Sequence, residues 1–493
     1  MAKKKFYITT AIDYVNAEPH LGHAYEKILT DAIARWKRLN GFDVFFLTGT
    51  DENASKVARA AREAGAKSIE QIKAFVDGNA KKFLQLAKVL NISYDDFIRT
   101  TEERHIKVAK KLFEIIYSKG LIYKTSYKGL YCVACEAFYK ESEAIDGKCP
   151  VHKKPLEMLE EENYFFKLSK FKDKLLKLVP RLVKPSKYAN EILARLKQEE
   201  LKDLSVSRAN LEWGIKVPFD PSQTIYVWID ALSNYISALG WPDSEKFKKY
   251  WPADMHVIGK DINWFHSVIW PALLLAAGIK PPKQIFVHGF ITYGGEKLSK
   301  TAGITYDPIK LANIYGTDAL RYFLLREAAI GDDFEFSEEK IKERLNSELA
   351  DKLGNLVTRI IGLANKINGK IKKSRIEKEI KEKVKTNIKE IKQDFNEYKF
   401  NQGIKKIFDL IELCNKYIQD NELWKLQGKQ LNDSLYGITE CLRLATILLW
   451  PIMPQAAEKI AALYKFDISI KNLKLGIMKE YELKEKEPIF KKI

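Results

Sequence analysis

The sequence has no long apolar run and no tract of biased composition. No stretch approaches the roughly 18 to 20 mostly apolar residues that a membrane-spanning helix needs, so we expect no membrane-embedded segment. The first five residues, MAKKK, are basic, but a strand-like stretch follows them instead of the apolar core of a signal peptide. We find no internal repeat and no low-complexity linker. These absences argue against a membrane protein, a protein with a signal peptide and a repeat protein.

Cysteine is scarce, with 5 residues in 493. Three cysteines cluster with a histidine as C-x-x-C and C-x-x-H pairs, while Cys414 and Cys441 lie apart in helical segments. This distribution indicates a reducing compartment, which we expect to be the cytoplasm, and not a disulfide framework. Paired ligands of this kind suit a tetrahedral, structural zinc ion, with unliganded thiols or a lost site as the alternatives. The expected zinc ligands are Cys132, Cys135, Cys149 and His152.

Positive charge is in excess, with a formal net charge of +18 and a pI of about 9.3. Such an excess favours polyanionic partners such as nucleic acid, although a lysine-rich proteome would produce the same balance. The composition, 46% hydrophobic and 30% charged, is that of an ordinary globular protein. The length allows roughly two to four domains with substantial cores.

Strand-like and helix-like stretches alternate in two separated parts of the chain. The first part runs from residue 6 to about residue 116, with buried-strand candidates at 6–10 and 43–48. The pattern then gives way to short strands, turns and the cysteine cluster, and it resumes at 224–230, 255–259 and 285–288. A split Rossmann-like parallel sheet with a zinc-knuckle insertion explains this order.

After residue 333 the sequence looks purely helical to about residue 465 and predicts an α-helical bundle. The helix candidates are residues 338–366, 371–395, 400–417 and 431–449. The resulting domains are 1–120 and 223–293 for the two halves of the α/β domain, 121–222 for the insertion, 294–345 for a lysine-containing loop and its following region, and 346–493 for the helical bundle.

Two histidines lie where the first strand should meet the first helix, in residues 14–23, YVNAEPHLGH. Open α/β sheets bind ligands at this edge, and the free N–H groups of a helix amino terminus favour phosphate. Gly22 would let a nucleotide approach the backbone. A lone histidine at such a position is more often a cap or a surface residue, so the motif needs a second observation.

Residues 297–301, KLSKT, supply that second observation. Two lysines on a glycine-containing loop are commonly a solvated turn. In this order, however, HLGH and KLSKT resemble the paired signatures of class I aminoacyl-tRNA synthetases. The resemblance implies that both motifs bind the same ATP molecule.

Further segments narrow the resemblance to the methionyl-tRNA synthetase family over nearly the whole chain. They are YVNAEPHLGH, FLTGTD at 46–51, the zinc pairs, YVWIDALSNY at 226–235 and GKDINWFH at 259–266. The stretch between the two signatures is too short for the large editing insertion of the isoleucyl, leucyl and valyl enzymes. The resemblance implies a ligase that forms methionyl-adenylate and pyrophosphate from L-methionine and ATP, then transfers methionine to the 3′-terminal adenosine of tRNA(Met), initiator tRNA included.

The resemblance also implies a role for particular residues. Without it, Trp228 and Tyr235 would be interpreted as core aromatics, and Trp424 as a tryptophan of the bundle core. The implied catalytic residues are His20, His23, Lys297 and Lys300, and the implied ATP-binding residues are Asn16, His20, Gly22, His23, Glu26, Gly259, Asp261, Lys297 and Lys300, with Mg²⁺ accompanying ATP. The implied methionine-binding residues are Ala11, Ile12, Tyr14, Asp51, Arg208, Trp228, Ala231, Leu232, Tyr235, Phe265 and His266, and the implied anticodon-binding residues are Asn355, Arg359 and Trp424.

One local departure and three competing interpretations stay open at this point. Asn53-Ala54 replaces the His-Gly that the family commonly shows, which leaves the contacts of that loop undefined. A cysteinyl-tRNA synthetase would need a zinc ion with an open coordination position, a non-catalytic tRNA-binding paralogue would not need both signatures, and a small-molecule adenylyltransferase would not explain the helical tail. With no appended tRNA-binding module we expect a monomer, although a separate tRNA-binding subunit is compatible with the sequence.

Overall fold

The computed structural model describes residues 3–132, 137–139, 144–150, 153–209, 211–294, 296–297, 306–483 and 488–493. The first part of the chain alternates strand and helix as expected. Its apolar strands are buried and form a sheet, and its helices cover both faces of that sheet. The elements are β1 (Lys5–Thr9), β2 (Asp13–Tyr14), α1 (Leu21–Leu39), β3 (Asp43–Asp51), α2 (Ser55–Glu63), α3 (Ile69–Val89), β4 (Asp96–Arg99) and α4 (Glu103–Ser118).

The insertion consists of small antiparallel sheets and two helices. One sheet has the order β6-β5-β7-β9 and another the order β10-β12-β11. The elements are β5 (Ile122–Cys132), β6 (Ala137–Tyr139), β7 (Glu157–Phe166), α5 (Lys172–Leu182), β8 (Val183–Lys184), α6 (Ser186–Gln198), β9 (Leu204–Ser205), β10 (Ser207–Ala209), β11 (Lys216–Val217) and β12 (Asp220–Ile225).

The second part of the α/β domain begins with a helix. Residues 224–230 do not form a strand of the parallel sheet: β12 ends at Ile225 in an antiparallel sheet, and α7 starts at Val227. A short π-helical segment, Phe265–Ile269, precedes α9. The elements are α7 (Val227–Ser237), α8 (Glu245–Tyr250), β13 (Met255–Gly259), α9 (Trp270–Ala277), β14 (Ile285–His288), β15 (Ile291–Tyr293) and β16 (Glu296–Lys297).

The parallel sheet has the order β2-β3-β1-β13-β14-β8, with β4 paired to β3. Strands β3 and β13 flank β1, so the chain leaves β1 in opposite directions and creates a crevice at the carboxyl ends of the strands. The edge strand β8 comes from the insertion and pairs with β14. The split Rossmann-like sheet is confirmed, with one strand contributed by the segment that interrupts it.

The carboxyl-terminal part is mainly helical, as expected, but it is not purely so. Short strands pair β17 with β15, and β18 with β19. Residues 345–354 form a π-helical segment between α12 and α13. The elements are α10 (Pro308–Tyr315), α11 (Thr317–Glu327), β17 (Phe334–Glu335), α12 (Glu338–Arg344), α13 (Asn355–Ala364), β18 (Lys370–Lys372), α14 (Lys378–Asn396), α15 (Phe400–Asp420), α16 (Gly428–Leu449), α17 (Pro454–Leu463) and β19 (Glu480–Glu482).

A buried ion network joins α1 to the helical region. The fully buried Arg321 of α11 donates to Asp31 Oδ2 at 2.7 Å and to the Ile452 carbonyl at 2.9 Å, and Arg35 also donates to Asp31 at 2.7 Å. Burial alone would raise the pKa of Asp31, but Arg321 and Arg35 outweigh it and lower that pKa. Because the first turn of α1 carries the histidine pair, this network helps to fix the helix that presents it.

Candidate active site

A cavity of about 1040 Å³ lies at the carboxyl ends of the central parallel strands. Its wall comes from the ends of β1, β3, β13 and β14 and from α1, α2 and α7. The cavity therefore brings together residues that are far apart in the sequence. Of the expected methionine-binding residues it is lined by Ala11, Ile12, Tyr14, Asp51, Trp228, Ala231, Leu232, Tyr235, Phe265 and His266, and of the expected ATP-binding residues by Asn16, His20, Gly22, His23, Glu26, Gly259 and Asp261.

The histidine pair caps the amino terminus of α1. His20 is the N-cap residue, and its Nδ1 accepts a hydrogen bond from Gly22 N at 3.1 Å. His23 Nδ1 accepts from His20 N at 3.0 Å, which completes a reciprocal cap. The two imidazole rings stack with centroids 3.7 Å apart. Since each Nδ1 accepts, the hydrogen of each neutral ring is on Nε2, and both rings present N–H donors.

At two positions of the cavity wall a glycine leaves room for a neighbouring side chain, His20 beside Gly22 and Asp261 beside Gly259. A Cβ on Gly22 would lie 2.9 Å from His20 Cε1, which is closer than real Cβ contacts. A Cβ on Gly259 would lie 2.8 Å from Asp261 Oδ1. Gly22 therefore allows the capped conformation of His20, in addition to any nucleotide approach that we expected from the sequence.

Glu26 bridges two strand ends beneath the cavity. Its Oε1 accepts from Ala11 N at 2.8 Å, and its Oε2 lies 3.0 Å from His288 Nε2. His288 Nδ1 is 2.8 Å from the Gly289 carbonyl and donates to it, so a single proton lies between Glu26 and His288. Burial raises the pKa of Glu26, which favours a shared proton. Both oxygens of Glu26 therefore have hydrogen-bond partners within the protein, at the ends of β1 and β14.

The aromatic part of the cavity is built from α7 and the segment after β13. Trp228 and Phe265 stack in parallel, with centroids 3.7 Å apart and planes 6° apart. Tyr235 and His266 lie behind them and are 1% and 2% exposed. Such a pocket suits a thioether side chain, because polarizable sulfur packs well against aromatic rings.

One tautomer of His266 is fixed by its neighbours. His266 Nδ1 lies 3.0 Å from the Ile262 carbonyl and donates to it, so Nε2 accepts from the Tyr235 hydroxyl at 2.8 Å. Burial lowers the pKa of His266 to about 4. The imidazole is therefore neutral at physiological pH, and the pocket wall carries no positive charge at this position.

We expect the His266 ring to titrate near pH 4 instead of near 6.5. Because the unfolded chain binds this proton first as the pH falls, the contribution of His266 to stability decreases between about pH 6.5 and about pH 4. The Cε1–H chemical shift in an NMR titration measures the midpoint, with the resonance assigned by its loss in a His266→Asn variant. A midpoint near 6.5 would contradict the buried, neutral ring.

Of the two charged residues expected in the methionine site, only Asp51 is among the described lining residues of the cavity. Asp51 lies at the carboxyl end of β3, is 2% exposed and lines the cavity. Arg208 is not among the described residues of the cavity wall. Its Nη1 donates to Ser205 Oγ and to the Ser207 carbonyl, and its guanidinium lies over the ring of Tyr226, which does line the cavity. Arg208 therefore supports the wall from behind.

A second, smaller depression of about 260 Å³ lies on the helical region. It is lined by the three expected anticodon-binding residues, and Trp424 is 38% exposed there. Arg359 Nη2 donates to Gln419 Oε1 at 3.4 Å. Exposed tryptophan beside polar and cationic side chains suits stacking on an unpaired base. The depression is lined by Asn355, Thr358, Arg359, Gly362, Leu363, Ile418 and Trp424.

Comparisons with known proteins agree with this arrangement. The model of the family described as tRNA synthetases class I (M) matches residues 6–155 and 151–361, and that of the anticodon-binding domain of tRNA ligase matches residues 377–491. Methionine--tRNA ligase of Caldanaerobacter subterraneus subsp. tengcongensis is 44% identical over 100% of this chain and 79% of the relative. That of Thermotoga maritima is 43% identical over 99% and 80%. The chain belongs to the methionyl-tRNA synthetase family.

Solved structures of the methionyl-tRNA synthetase family have the same fold. Mycobacterium tuberculosis methionyl-tRNA synthetase in complex with methionyl-adenylate is 38% identical, with a TM-score of 0.93 over 99% of each chain. The free form of that enzyme gives a TM-score of 0.86 at 36% identity, over 100% of this chain and 99% of that one. The family and the fold class that the sequence predicted are both confirmed.

Some residues that the resemblance to methionyl-tRNA synthetases singled out lie outside the described part. Lys300, Cys135 and His152 are not described, and Lys297 is described only as a backbone position in β16. Cys132 and Cys149 are described and are each 1% exposed. Within the described residues no cluster of three metal-ligating side chains is present.

Sequence reasoning missed several residues of the cavity wall. Helix α2 contributes Lys56 and Arg59, and the insertion contributes Tyr139 and Lys154. Lys56 places its ammonium over the ring of Tyr14. Neither Lys56 nor Arg59 belongs to a recognisable catalytic or binding motif, and a charged side chain on an exposed helix is normally solvated. Their place in the cavity wall is therefore visible only in the structure.

Asn53-Ala54, which departs from the family pattern, makes contacts inside the protein. Asn53 Nδ2 donates to the Thr100 carbonyl at 3.0 Å, and Ala54 is 1% exposed at the start of α2.

In the described part of this methionyl-tRNA synthetase family member, no helix combines the length and the apolar character needed to cross a bilayer.

Proposed function

We propose that the cavity activates methionine with ATP and then passes the methionyl group to tRNA. As a member of its family the chain is a methionine--tRNA ligase. The observation that carries the residue-level proposal is the joining, in one cavity, of two Nε2–H donors at a helix amino terminus with a neutral aromatic pocket. One end suits phosphate and the other suits an apolar side chain containing sulfur.

The activation step needs no general base. The carboxylate of methionine is ionised at pH 7 and attacks the α-phosphorus of ATP, which forms the carboxyl–phosphate bond and breaks the bond to the β-phosphate. Pyrophosphate leaves with the electron pair. Catalysis is therefore positioning together with stabilisation of the charge on the phosphate oxygens.

The histidine pair and the lysines stabilise the negative charge on the phosphate oxygens. His20 and His23 donate from Nε2 to the α- and β-phosphate oxygens, and Lys297 and Lys300 hold the β- and γ-phosphates. The Mg²⁺ ion that accompanies ATP supplies further neutralisation of the triphosphate. Asn16, Gly259 and Asp261 contact the nucleoside, while Glu26 and Gly22 position the wall that holds it.

The aromatic pocket selects the amino acid. Trp228, Phe265 and Leu232 enclose the side chain, and Asp51 accepts the substrate ammonium at the end of β3. The Tyr235 hydroxyl donates to His266, and the His266 N–H donates to a carbonyl, so neither of these two side chains has a free donor for a polar substrate side chain. Ala11, Ile12, Tyr14 and Ala231 complete the pocket.

The transfer step uses the terminal adenosine of tRNA(Met). Its 2′-hydroxyl oxygen attacks the carbonyl carbon of methionyl-adenylate and forms the ester, the bond from that carbon to the phosphate oxygen breaks, and AMP leaves with the electron pair and takes up the hydroxyl proton. The helical region binds the anticodon through Asn355, Arg359 and Trp424. We propose that the enzyme is a cytoplasmic monomer, since translation supplies its tRNA there and one chain contributes described residues to both the ATP end and the methionine end of the cavity.

A structural zinc ion is proposed for the insertion. Cys132 and Cys149 are buried, while residues 145–148 and 150 beside Cys149 are exposed, which is the environment expected when ligands, and not an apolar core, bury the thiols. Together with Cys135 and His152 they form a closed set of four ligands. Such an ion supplies folding energy to the insertion and takes no part in the reaction.

The zinc proposal predicts different metal contents for two matched cysteine variants. We expect the purified protein to contain stoichiometric zinc by atomic absorption, Cys132→Ala to lose it, and Cys414→Ala, a buried cysteine of the bundle, to retain it. The insertion of the Cys132→Ala variant should also be cleaved faster by protease. Equal zinc content in the two variants would contradict the assignment.

ATP–pyrophosphate exchange with each of the twenty amino acids tests the proposed function. Only methionine should support rapid exchange, and an apolar analogue that lacks one methylene or replaces the sulfur should be slower, by a factor of about 10 to 200 per lost contact. Rapid exchange with cysteine, or none with any amino acid, would overturn the proposal.

A further inference from the structure

A buried ion pair lies in the wall of the cavity beside the histidine pair. Asp13 is on β2 and is one of the residues that line the cavity. Lys27 is on α1 and is fully buried, and its ammonium group donates a hydrogen bond to Asp13 Oδ2. Replacing a buried pair of this kind by apolar residues often leaves stability unchanged, because both charges have to leave water. Stability alone therefore does not explain a charged pair at this place.

The second oxygen of Asp13 lies near the donor atom of His23. Asp13 Oδ1 is 3.9 Å from His23 Nε2. Nδ1 of the same ring accepts the backbone N–H of His20, so the hydrogen of the neutral ring is on Nε2. Since Lys27 follows His23 by four residues, both side chains lie on the same face of α1. One carboxylate thus links the buried lysine to the donor side of the imidazole.

The other charged and titratable groups around Asp13 come from α1 and β14. Burial raises the pKa of Asp13, while the Lys27 ammonium and, to a smaller extent, His20 lower it. Glu26, the residue before Lys27, shares a proton with His288 of β14. Lys27 is therefore the side chain whose positive charge offsets the negative charge of Asp13.

The two residues of the pair can act separately on a bound triphosphate. A carboxylate near one nitrogen of an imidazole favours the tautomer and the ring orientation that present N–H at that nitrogen. A carboxylate without a counter-ion in the same wall would repel phosphate, because like charges interact strongly where water is excluded. The Lys27 ammonium removes this repulsion, since the pair as a whole is neutral. The His23 ring is then oriented without added negative charge beside the phosphates.

We propose that Asp13 is a positioning residue for His23, and that Lys27 neutralises Asp13 so that the triphosphate can bind beside it. Asp13 orients the imidazole before ATP arrives, and His23 then donates from Nε2 to a phosphate oxygen. Neither Asp13 nor Lys27 makes or breaks a bond. The proposal rests on the proposed function and adds the residues that prepare the phosphate end of the cavity.

Two matched double variants test the role of Asp13. Asp13→Asn/Lys27→Met replaces the pair with neutral side chains of similar size and leaves no buried charge unpaired. Asp394→Asn/Lys406→Met makes the same substitutions in the helical region, where Lys406 donates to Asp394 Oδ2 at 2.7 Å. Neither residue of this control pair is among the described lining residues of the cavity. ATP–pyrophosphate exchange measures activation, and equilibrium dialysis with methionine checks that the cavity is folded.

We expect exchange at saturating substrates to be about tenfold slower in the Asp13/Lys27 variant and unchanged in the control variant. Loss of the partner that orients a functional histidine typically has an effect of about 10- to 100-fold, and here the donor itself is still present. Methionine affinity should change little. Asp13→Asn alone, in which the amide oxygen still accepts from Lys27, should also slow exchange and replaces the double variant if that variant does not fold. Wild-type exchange in the folded variant would overturn the proposal.

The same substitutions in a His23→Ala background distinguish positioning from a structural role. If Asp13 acts through His23, its replacement should slow exchange little further once the imidazole is absent, because the effects of coupled residues are not additive. A pair that only stabilises the fold would slow exchange by the same factor in both backgrounds. That result would contradict the assignment of Asp13 as a positioning residue.

Lys27→Met alone tests the neutralising role of the lysine. At a pH well above the raised pKa of Asp13, the carboxylate of this variant has lost its counter-ion. KM for ATP should then be roughly tenfold higher than in Asp13→Asn/Lys27→Met, while KM for methionine should be similar in the two variants. Equal KM values for ATP would overturn the role of Lys27. Absence of methionine-dependent exchange in the wild type would instead refute the proposed function.

Discussion

Replacing His23 with alanine is expected to slow methionyl-adenylate formation by about 10²–10³-fold while changing the affinity for methionine little. His23 lines the cavity, and its ring hydrogen is on Nε2 because Nδ1 accepts the backbone N–H of His20; Nε2 lies 3.9 Å from Asp13 Oδ1. Losing one such preorganised donor to a developing anionic charge typically has an effect of this size. ATP–pyrophosphate exchange at saturating methionine measures the rate, and equilibrium dialysis measures methionine binding.

Two further variants of His23 separate its role in catalysis from its role as a helix cap. Asn places an oxygen near the position of Nδ1 and keeps the cap, but it has no donor at the position of Nε2. Gln places its amide N–H₂ near Nε2 and keeps the donor. We expect His23→Asn to be as slow as His23→Ala with near-normal thermal stability, and His23→Gln to retain more activity. Near-normal exchange in the Ala or Asn variant would contradict the role, as it would for Lys300→Ala.

Replacing Trp424 with alanine should leave adenylate formation unchanged and reduce aminoacylation of tRNA(Met) about 5- to 150-fold. The ring is 38% exposed beside Asn355 and Arg359 and lies far along the chain from the cavity residues. Stacking of one base on an aromatic side chain contributes about 1–3 kcal/mol, which corresponds to this range. Steady-state aminoacylation and exchange, measured on the same preparation, separate the two activities.

Trp424→Phe is the matched control, because it keeps an aromatic face and should retain most of the aminoacylation. A tRNA with an altered anticodon should be charged poorly by the wild type and should lose little more in Trp424→Ala. If wild type charges normal and anticodon-altered initiator tRNA equally, the depression on the helical region does not bind the anticodon.

The parts of the fold that the sequence predicted correctly are those with a single periodicity. Strand β1 and helix α1 follow directly from a short apolar run and from helical spacing, and the glycine-containing motif between them marks the ligand-binding edge. Residues 224–230 misled the prediction because TIYVWID is apolar and β-prone throughout. A short run that is buried on all sides does not distinguish a strand from a helix. Here the strand ends at Ile225, and α7 carries Trp228 into the cavity.

Side-chain contacts between distant segments could not be predicted from the sequence. The pairing of Glu26 with His288 joins positions 262 residues apart. Arg208 lies over the ring of Tyr226 from β10, the strand beside β12, and β8 reaches the parallel sheet from within the insertion. Each of these depends on how separate segments pack, which local periodicity does not encode. The resemblance supplied the remaining site residues, and the fold gathers most of those that are described into one cavity.

The central claim is that one cavity holds the triphosphate at the histidine pair and methionine in the aromatic pocket at the same time. A crystal structure with methionine and α,β-methylene-ATP, in which the bond that must break is blocked, tests it most directly. The account predicts phosphate oxygens within hydrogen-bond distance of Nε2 of His20 and His23, and the methionine sulfur against Trp228, Tyr235 and His266. Nucleotide bound away from the histidines, or methionine bound outside the pocket, would contradict it.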